Sequence, residues 1–436
     1  REFNLKYKFP NSVLTEAEKI SVKIPQSEIN NRIDFRNKNV FTIDPEDAKD
    51  FDDALSIEQL ENGNLSIGIH IADVEHYVKK DSALDFEAQL RGNSVYFVGK
   101  VVPMLPEKLS NQICSLVPNE DRLTYSVIVE MTIRGRIVDY IISKTIINSK
   151  RRFTYDEAQD VIETGKGDLA KDILQLNKIA QIFRKKRMSE GSFDFISPEV
   201  KFKLDENGVP VSILIKQTKQ SNMLIEEFML LANKIVAKHI AVPKTGAVKP
   251  FVYRVHDLPD QEKIVEFSRF VKTLGYTFDP NASSKSIGFQ NLLNQIKGKE
   301  EEALINELAI RSMAKAVYSP KNIGHYGLGF KYYSHFTSPI RRYSDLVTHR
   351  LLNNYKNAKS GEIYSLADLD KICDNISASE RNAVEAERFS IKQKQIEYLR
   401  NHQGNEFSAI ISGITNFGIF VKITDILAEG LIRLRD

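Results

Sequence analysis

Apolar residues recur with two different periods along this chain, and the change of period separates predicted strands from predicted helices. Every second residue from 65 to 71 is apolar, which is typical of a half-buried strand. Asn62 and Gly63, just before this run, form a dipeptide that favours a hairpin turn. Two longer runs, 125–133 and 137–147, predict another antiparallel hairpin.

From about residue 155 the apolar positions recur with the helical spacing of three and four. Thr154 is a suitable cap for the first of these helices. The predicted helices are 155–163, 169–187, 224–241, 260–274, 287–296, 300–317, 342–352 and 366–399. A further hairpin, 193–204 with 209–216, interrupts them, and short glycine-separated strands from residue 404 predict a small β-barrel.

The composition is that of a globular protein, with 42% hydrophobic and 27% charged residues. A net charge of +3 is too small to indicate a nucleic-acid partner by itself. Cys114 and Cys373 lie far apart in sequence, so we expect neither a disulfide framework nor a zinc site, and a reducing cytoplasm is the expected compartment. No apolar run approaches the length of a membrane span, and the first residues lack the apolar core of a signal peptide.

One acidic stretch, residues 41–58, carries the strongest indication of chemistry. Asp44, Asp50, Asp52 and Asp53 fall within ten residues of one another, between two β-prone apolar runs. Ionised carboxylates this close repel one another unless a cation lies among them. Oxygen ligands at this density suit Mg²⁺ or Mn²⁺. The alternative is a solvated acidic loop, but the flanking strands and the aromatic residue inside the stretch favour the metal site.

A basic stretch, residues 332–352, is the second candidate. Arg341 and Arg342 stand at a predicted helix N-terminus, where backbone N–H groups and guanidinium groups both favour a phosphate. Ion pairs to nearby acids such as Asp345 are the alternative interpretation, and the sequence leaves both open. A divalent ion at one stretch and a phosphate at the other would suit metal-assisted phosphodiester hydrolysis.

Three long runs resemble signature motifs of the RNB exoribonucleases, the family of ribonuclease II and ribonuclease R. They are TIDPEDAKDFDDA at 42–54, SVYFVGKVVPMLPEKLSNQICSL at 94–116 and YYSHFTSPIRRYSDLVTHRLL at 332–352. The run RSMAKAVYSPKNIGHYGL, residues 311–328, is more similar to the ribonuclease R branch. The resemblance covers about residues 41–399.

The resemblance implies an α+β fold and a division into parts. Residues 41–401 would form an RNB catalytic domain, a mixed, largely antiparallel sheet with surrounding helices and a central RNA channel. Residues 404–436 resemble the first half of the OB-fold RNA-binding barrel named after ribosomal protein S-one, so we expect an incomplete barrel. Residues 1–40 resemble the arm that follows the family's cold-shock barrels, which are absent here.

The implied activity is processive 3′→5′ hydrolysis of single-stranded RNA to nucleoside 5′-monophosphates, with Mg²⁺ as the metal and Mn²⁺ as the alternative. The implied partner is the 3′ end of single-stranded RNA. Structured RNA and the ribosome are further candidates, and a cytoplasmic monomer is expected. Selection of RNA over DNA needs contacts to 2′-hydroxyl groups, and this preference is inferred from the family alone.

By motif position, the resemblance implies that Asp44, Asp50 and Asp53 are the main metal ligands. Asp52 belongs to the same metal site, and the chemistry would depend on it most, because it would place a second metal ion or the attacking water. Arg341 matches the arginine that holds the scissile phosphate.

The remaining implied residues contact RNA. Tyr96 matches the tyrosine that stacks near the 3′ end and sets the product length, and Tyr155 is a lesser candidate. Phe195 matches the aromatic residue that closes the other side of the stacked bases, with Phe202 as its alternative.

Glu227 matches a glutamate that contacts the terminal nucleotide, with the adjacent Glu226 as its alternative, and Arg342 is a further RNA contact. One departure is Pro45, where relatives often have glycine. Because proline restricts the backbone, we expect a stiffer loop after Asp44.

Two other classes of function are alternatives to catalysis. A non-catalytic RNA-binding scaffold on the same fold would be expected to lack some of the four aspartates or Arg341, and all of them are present. A phosphotransferase is disfavoured because the chain has no GxxxxGK phosphate-binding loop.

Overall fold

The computed structural model describes residues 3–193, 195, 198–243, 246–280, 287–356 and 362–434. Its strands are β1 (Ile33–Asp34), β2 (Val40–Asp44), β3 (Asp53–Gln59), β4 (Leu65–Ala72), β5 (Val95–Phe97), β6 (Lys100–Val102), β7 (Asp121–Met131), β8 (Ile137–Thr154), β9 (Glu199–Leu204), β10 (Pro210–Lys216), β11 (Tyr253–Val255), β12 (Val317–Ser319), β13 (Ala409–Thr415), β14 (Gly418–Ile423) and β15 (Glu429–Arg433).

The helices follow the predicted helical pattern closely. They are α1 (Asn11–Lys19), α2 (Gln26–Asn30), α3 (Val74–Tyr77), α4 (Ala83–Arg91), α5 (Tyr155–Thr164), α6 (Ala170–Ser189), α7 (Gln220–Ala241), α8 (Gln261–Thr273), α9 (Ile287–Ile296), α10 (Glu302–Ser312), α11 (Tyr343–Lys356) and α12 (Leu366–Asn401), with a π-helical turn at Lys108–Ile113. No helix in the described ranges combines the length and hydropathy that crossing a bilayer requires.

The largest sheet closes on itself through the long strand β8. Strands β2, β3, β4, β7 and β8 are each hydrogen-bonded to the next, and every one of these pairings is antiparallel. The last part of β8 then runs parallel to β2, which completes the circuit, and β1 adds a short parallel pairing to β8. The predicted mixed, largely antiparallel sheet with surrounding helices is confirmed.

Closure of the sheet changes the environment of β4, which the sequence predicts to be half-buried. Its isoleucines are fully buried on one face, and His70 is fully buried on the other. The His70 ring bonds to Ser56 Oγ at 2.9 Å and to Ser126 Oγ at 2.8 Å. The prediction of a solvent-facing side was therefore wrong, because the polar face of β4 is enclosed with polar groups from β3 and β7. Burial lowers the pKa of His70 to about 3.

The central helices pack around this sheet as predicted. In α7, Leu224, Phe228, Ala232 and Val236 recur every four residues, and all are fully buried. Helix α5 begins as predicted at Thr154, whose side chain accepts a bond from the backbone of Glu157 in a reciprocal capping box.

Two predicted elements differ from the structure. The helix predicted over 300–317 ends at Ser312, because Val317 begins a strand that pairs antiparallel with β11. Within the predicted hairpin strand 193–204, only Glu199–Leu204 forms a strand, and residues 194, 196 and 197 lie outside the described residues.

The C-terminal strands β13, β14 and β15 form an antiparallel three-stranded sheet. Ile426 and Ala428, in the connection between β14 and β15, form a buried cluster with Ile213 of β10, and Phe202 of β9 packs against this cluster. The Gln395 side chain of α12 donates a hydrogen bond to the Ile426 carbonyl at 2.8 Å. The sheet is therefore attached to the rest of the chain, and its assignment to an OB barrel remains a prediction.

We predict that Gly68→Ala destabilises the protein. A Cβ atom at Gly68 would lie 2.4 Å from His70 Nε2 and 2.5 Å from Ser56 Oγ, which are already bonded to each other. Overpacking at such a site costs about 1–3 kcal/mol. Urea denaturation measures the loss, and Gly430→Ala is the matched control because nothing lies within 4 Å of its added Cβ. Equal midpoints for the two variants would contradict the prediction.

Candidate active site

Strand geometry brings the four aspartates of the acidic stretch to one end of the closed sheet. Asp44 is the last residue of β2 and Asp53 the first of β3, and these strands are antiparallel neighbours. Two backbone hydrogen bonds hold the intervening loop. Ala72 N–H donates to the Asp52 carbonyl at 2.9 Å, and Leu116 N–H donates to the Phe51 carbonyl at 3.0 Å. The loop that carries the acids is thus fastened to the core.

The carboxylates of this group are held in an environment that disfavours their charge. Burial raises the pKa of Asp44 to about 8, and the neighbouring charge of Asp53 adds to the shift. Burial also raises the pKa of Asp53 to about 6, against the opposing effect of Arg341 and Arg342. The pKa of Asp52 is raised by burial as well, while Arg341 again opposes the shift. Such shifts mark candidate functional sites.

Two buried oxygens fit the predicted divalent ion. Asp44 Oδ2 and Asp52 Oδ2 are buried and have no hydrogen-bond partner in the described structure. Leaving a buried acceptor unsatisfied is costly, and a cation would relieve both that cost and the repulsion among the acids. In the orientations seen, no three Asp, Glu, His or Cys side chains of the described ranges form a complete ligand set. The donor chemistry fits a hard cation, and the full ligand set remains a prediction.

Arg341 meets Asp52 from the loop before α11. Its Nε lies 3.6 Å from Asp52 Oδ2, and its Nη2 donates to Ser338 Oγ at 3.0 Å. Ile340 N–H donates to the other Asp52 oxygen at 2.9 Å. The Arg341 side chain remains 40% exposed, which leaves its outer face accessible to a phosphate. The two predicted stretches, acidic and basic, are therefore adjacent in space.

Arg342, the residue after Arg341, forms its ion pair with Asp345. Its Nη2 and Nε bond to the two oxygens of Asp345 at 2.7 and 2.9 Å, and the Asp345 side chain is fully buried whereas that of Arg342 is 16% exposed. Asp345 also accepts from Ser338 N–H at 2.8 Å, and Arg342 holds the pKa of that carboxyl below its usual value, against the effect of burial. For Arg342 the structure shows the ion-pair interpretation, with Nε and Nη2 bonded to Asp345, and its RNA contact remains a prediction.

Both predicted tyrosines lie beside the acids. Tyr96 in β5 donates its hydroxyl to Asp50 Oδ2 at 3.1 Å, and the residue is 37% exposed. Tyr155 follows Thr154, which pairs with Asp44 across the parallel β2–β8 register. Burial raises the pKa of Tyr155, and the charges of Asp53 and Asp44 raise it further.

The aromatic alternatives occupy different surroundings. Phe195 contacts Phe193 edge to face at 5.0 Å and lines a cavity of about 1350 Å³ that Arg388 also lines. Phe202 packs against the buried cluster of Ile213, Ile426 and Ala428. Phe195 is therefore better placed to meet a ligand, although its described contacts do not include the four aspartates.

The two glutamates also differ. Glu227 is buried and pairs with Arg187 at 2.6 Å, whereas the Glu226 side chain is 44% exposed and lies 3.4 Å from the same arginine. The described contacts of both are with arginines of α6. The choice between them as the nucleotide contact stays open.

Sequence reasoning missed Glu387 in the middle of α12. Its carboxylate accepts a hydrogen bond from Tyr96 N–H at 2.9 Å. Burial raises the pKa of Glu387, while the charge of nearby Arg341 opposes that shift. No local pattern marks this residue, because it belongs to a long helix with many acids and its partners are distant in sequence.

We predict that the stability of the metal-free protein falls as pH rises from about 4 to about 8. The folded Asp44 retains its proton up to about pH 8, whereas the unfolded carboxyl has lost it. The contribution is complete below the usual carboxyl pKa of about 4 and is lost as pH passes the folded value. Thermal unfolding in a chelator measures the slope. Asp44→Asn should flatten it, and Asp47→Asn, an exposed acid of the same loop, should not.

We predict that Asp345→Ala costs about 3–5 kcal/mol of unfolding free energy, because it leaves the largely buried Arg342 without its partner. The control is Glu58→Ala, which removes the exposed ion pair with Lys38 and should cost about 1 kcal/mol or less. Urea titration of both variants checks this. If Asp345→Ala lowers the unfolding free energy as little as Glu58→Ala does, the Arg342–Asp345 pair does not stabilise the loop before α11.

Comparison with known proteins places this geometry in a family. Residues 32–358 match the RNB domain. The chain is 42% identical over 438 residues to ribonuclease R of Thermotoga maritima and 40% identical over 440 residues to ribonuclease R 1 of Lactococcus lactis, covering 98% of this chain in each case. It spans 61% and 53% of the lengths of these relatives.

A solved structure agrees with the fold. The RNase R of Mycoplasma genitalium in complex with ribose-methylated single-stranded RNA matches with a TM-score of 0.90 and 30% identity, over 99% of this chain and 68% of that chain. The same protein in complex with double-stranded RNA matches with a TM-score of 0.91 and 29% identity, over 99% of this chain and 77% of that chain. The chain belongs to the RNB family of ribonucleases.

Proposed function

We propose that this chain is the catalytic part of a divalent-metal-dependent 3′→5′ exoribonuclease that degrades single-stranded RNA to nucleoside 5′-monophosphates. The observation that carries the proposal is the approach of Arg341 to Asp52 beside a group of acids with raised pKa values. A phosphodiester needs a cation at its nonbridging oxygens and a positioned nucleophile. This arrangement provides residues for both.

In this proposal Asp44, Asp50 and Asp53 hold Mg²⁺, with Mn²⁺ as the alternative. A bound divalent ion supplies an activated water and neutralises charge on the phosphate. One Asp52 oxygen accepts a hydrogen bond from Ile340 N–H, and the other accepts no hydrogen bond and lies 3.6 Å from Arg341 Nε. That oxygen would orient the attacking water or a second metal ion.

Arg341 would stabilise the charge that develops on the scissile phosphate. Its guanidinium is anchored on one side by Ser338 Oγ and is exposed on the other. Because one donor is fixed, little side-chain freedom is lost when a phosphate binds.

Tyr96 would provide the stacking surface for the RNA 3′ end. Its hydroxyl is held by Asp50 and its backbone N–H by Glu387, so the ring is fixed while part of it faces solvent. Stacking on an aromatic ring tolerates any base. Because the residue is held at its hydroxyl and at its backbone, the position of the ring would set the shortest RNA that still binds. Phe195 would close the opposite side of the stacked bases.

The wider biology is also part of the proposal. The RNA complexes of the Mycoplasma relative support single-stranded RNA as substrate and structured RNA as a further substrate class. Ribosome contact, processivity, a monomeric state and a cytoplasmic location remain predictions. So does the division into an arm over 1–40, a catalytic domain over 41–401 and an OB-type barrel over 404–436.

We predict that Asp52→Asn abolishes RNA hydrolysis while RNA binding persists. The substitution keeps the size of the side chain but removes the negative charge that would orient water or metal, and a loss of about 10²-fold or more is expected. The assay follows 5′-labelled single-stranded RNA with Mg²⁺ on a denaturing gel. The matched control is Asp47→Asn in the same loop.

The proposal is supported if the parent chain and Asp47→Asn both convert the RNA to a short end product and if EDTA stops this conversion. RNA that is bound but stays intact with both Mg²⁺ and Mn²⁺ would favour the non-catalytic scaffold for this chain.

A further inference from the structure

A second cavity, of about 520 Å³, opens between the β7–β8 turn, α6 and α7. None of the four aspartates, Tyr96, Tyr155 or Arg341 lines it, and Glu227, buried in its pair with Arg187, is the one predicted RNA contact that does. Its walls are rich in cations: Arg134, Arg136, Lys186, Arg187, Lys234 and Lys238. The carboxylates in its lining are Glu190 and Glu227. Its charge is therefore strongly positive and opposite in sign to that of the acidic site.

Part of this positive charge is already balanced. Arg187 is paired with the buried Glu227 at 2.6 Å, and Lys186 lies 3.8 Å from the exposed Glu190. Arg134, Arg136, Lys234 and Lys238 form no ion pair with any described residue. The cavity therefore carries an excess of positive charge, with Arg134, Arg136 and Lys238 exposed to solvent and Lys234 partly buried, and this excess favours an anionic ligand.

The surroundings of Lys234 show the excess of positive charge most clearly. Its Nζ lies 4.6 Å from the centre of the Phe330 ring. Burial lowers the pKa of Lys234, and the positive charges of Lys186 and Lys238 lower it further, against the opposing effect of Glu190. A lysine held in this way gains most from a multiply charged anion.

The rest of the lining is apolar. Ile182 and Phe183 of α6, Leu231 and Ile235 of α7, and the ring of Tyr140 supply a hydrophobic wall beside the cations. A cavity of this size, apolar with a few converging charged groups, is typical of a small-molecule site. An aromatic base would fit against such a wall, and phosphates would fit against the lysines.

We propose that this cavity binds a nucleoside di- or triphosphate, separately from the catalytic centre. The four unbalanced cations match the three to four negative charges of a polyphosphate better than the charge of a monophosphate. Lys234 and Lys238 stand one helical turn apart on α7, and both would contact the phosphate chain. The inference does not depend on the proposed nuclease activity.

Isothermal titration calorimetry with the whole chain tests the proposal. ATP, AMP, pyrophosphate and uridine are titrated separately in EDTA, which prevents metal-mediated binding at the acidic site. The test variant is Lys234→Gln with Lys238→Gln. The matched control is Lys171→Gln with Lys178→Gln, two exposed lysines of α6 outside the cavity.

We expect ATP to bind the parent chain and the control variant more tightly than AMP or pyrophosphate, with no heat from uridine. The Lys234/Lys238 variant should bind ATP at least about tenfold more weakly, because two charge-assisted contacts are lost. Thermal unfolding of each variant confirms that it is folded.

No binding of ATP by the parent chain, or equal binding by the Lys234/Lys238 variant, would overturn the proposal. Displacement of ATP by a single-stranded RNA oligonucleotide in the parent chain would also overturn it, because the cavity would then be an RNA site. RNA hydrolysis is measured in parallel and should be unchanged in both double variants, so failure here is separable from failure of the nuclease proposal.

Discussion

The burial of Asp52 between two distant segments is the constraint on which the candidate site depends. One carboxylate oxygen accepts a hydrogen bond from Ile340 N–H, and the other accepts none but forms an ion pair with Arg341 Nε at 3.6 Å. A buried carboxylate is stable only when donors or cations surround it. The acidic loop and the loop before α11 therefore stabilise each other, and the site exists only where they meet.

The closed sheet positions the other residues of the site relative to the contact between Asp52 and the loop before α11. Because Asp44 pairs with Thr154 at the end of β8, Tyr155 at the start of α5 comes to lie beside the acids. The backbone of Asp52 is bonded to Ala72 at the end of β4. Three strand ends thus supply the acidic side of the site, and rigid strands position side chains more accurately than a free loop would.

The local elements and the chemistry of the motifs could be predicted from the sequence. The capping box at Thr154 and the four-residue apolar spacing of α7 are local signals, and the structure confirms both. The polar face of β4 could not be predicted correctly, because the alternation of His70 with isoleucine looks the same whether the sheet is open or closed. Val317 was wrongly included in a helix because its strand exists only through pairing with β11.

From residue type and spacing, the sequence by itself predicted a divalent-ion site in the acidic stretch and left the basic stretch open between a phosphate site and ion pairs. Tertiary structure decided which contacts each of two neighbouring residues makes. Arg341 turns to Asp52 while Arg342 is bound to Asp345, and Glu227 is buried where Glu226 is exposed. Adjacent residues of the same type share the same local preferences, so only contacts with segments far along the chain can separate them.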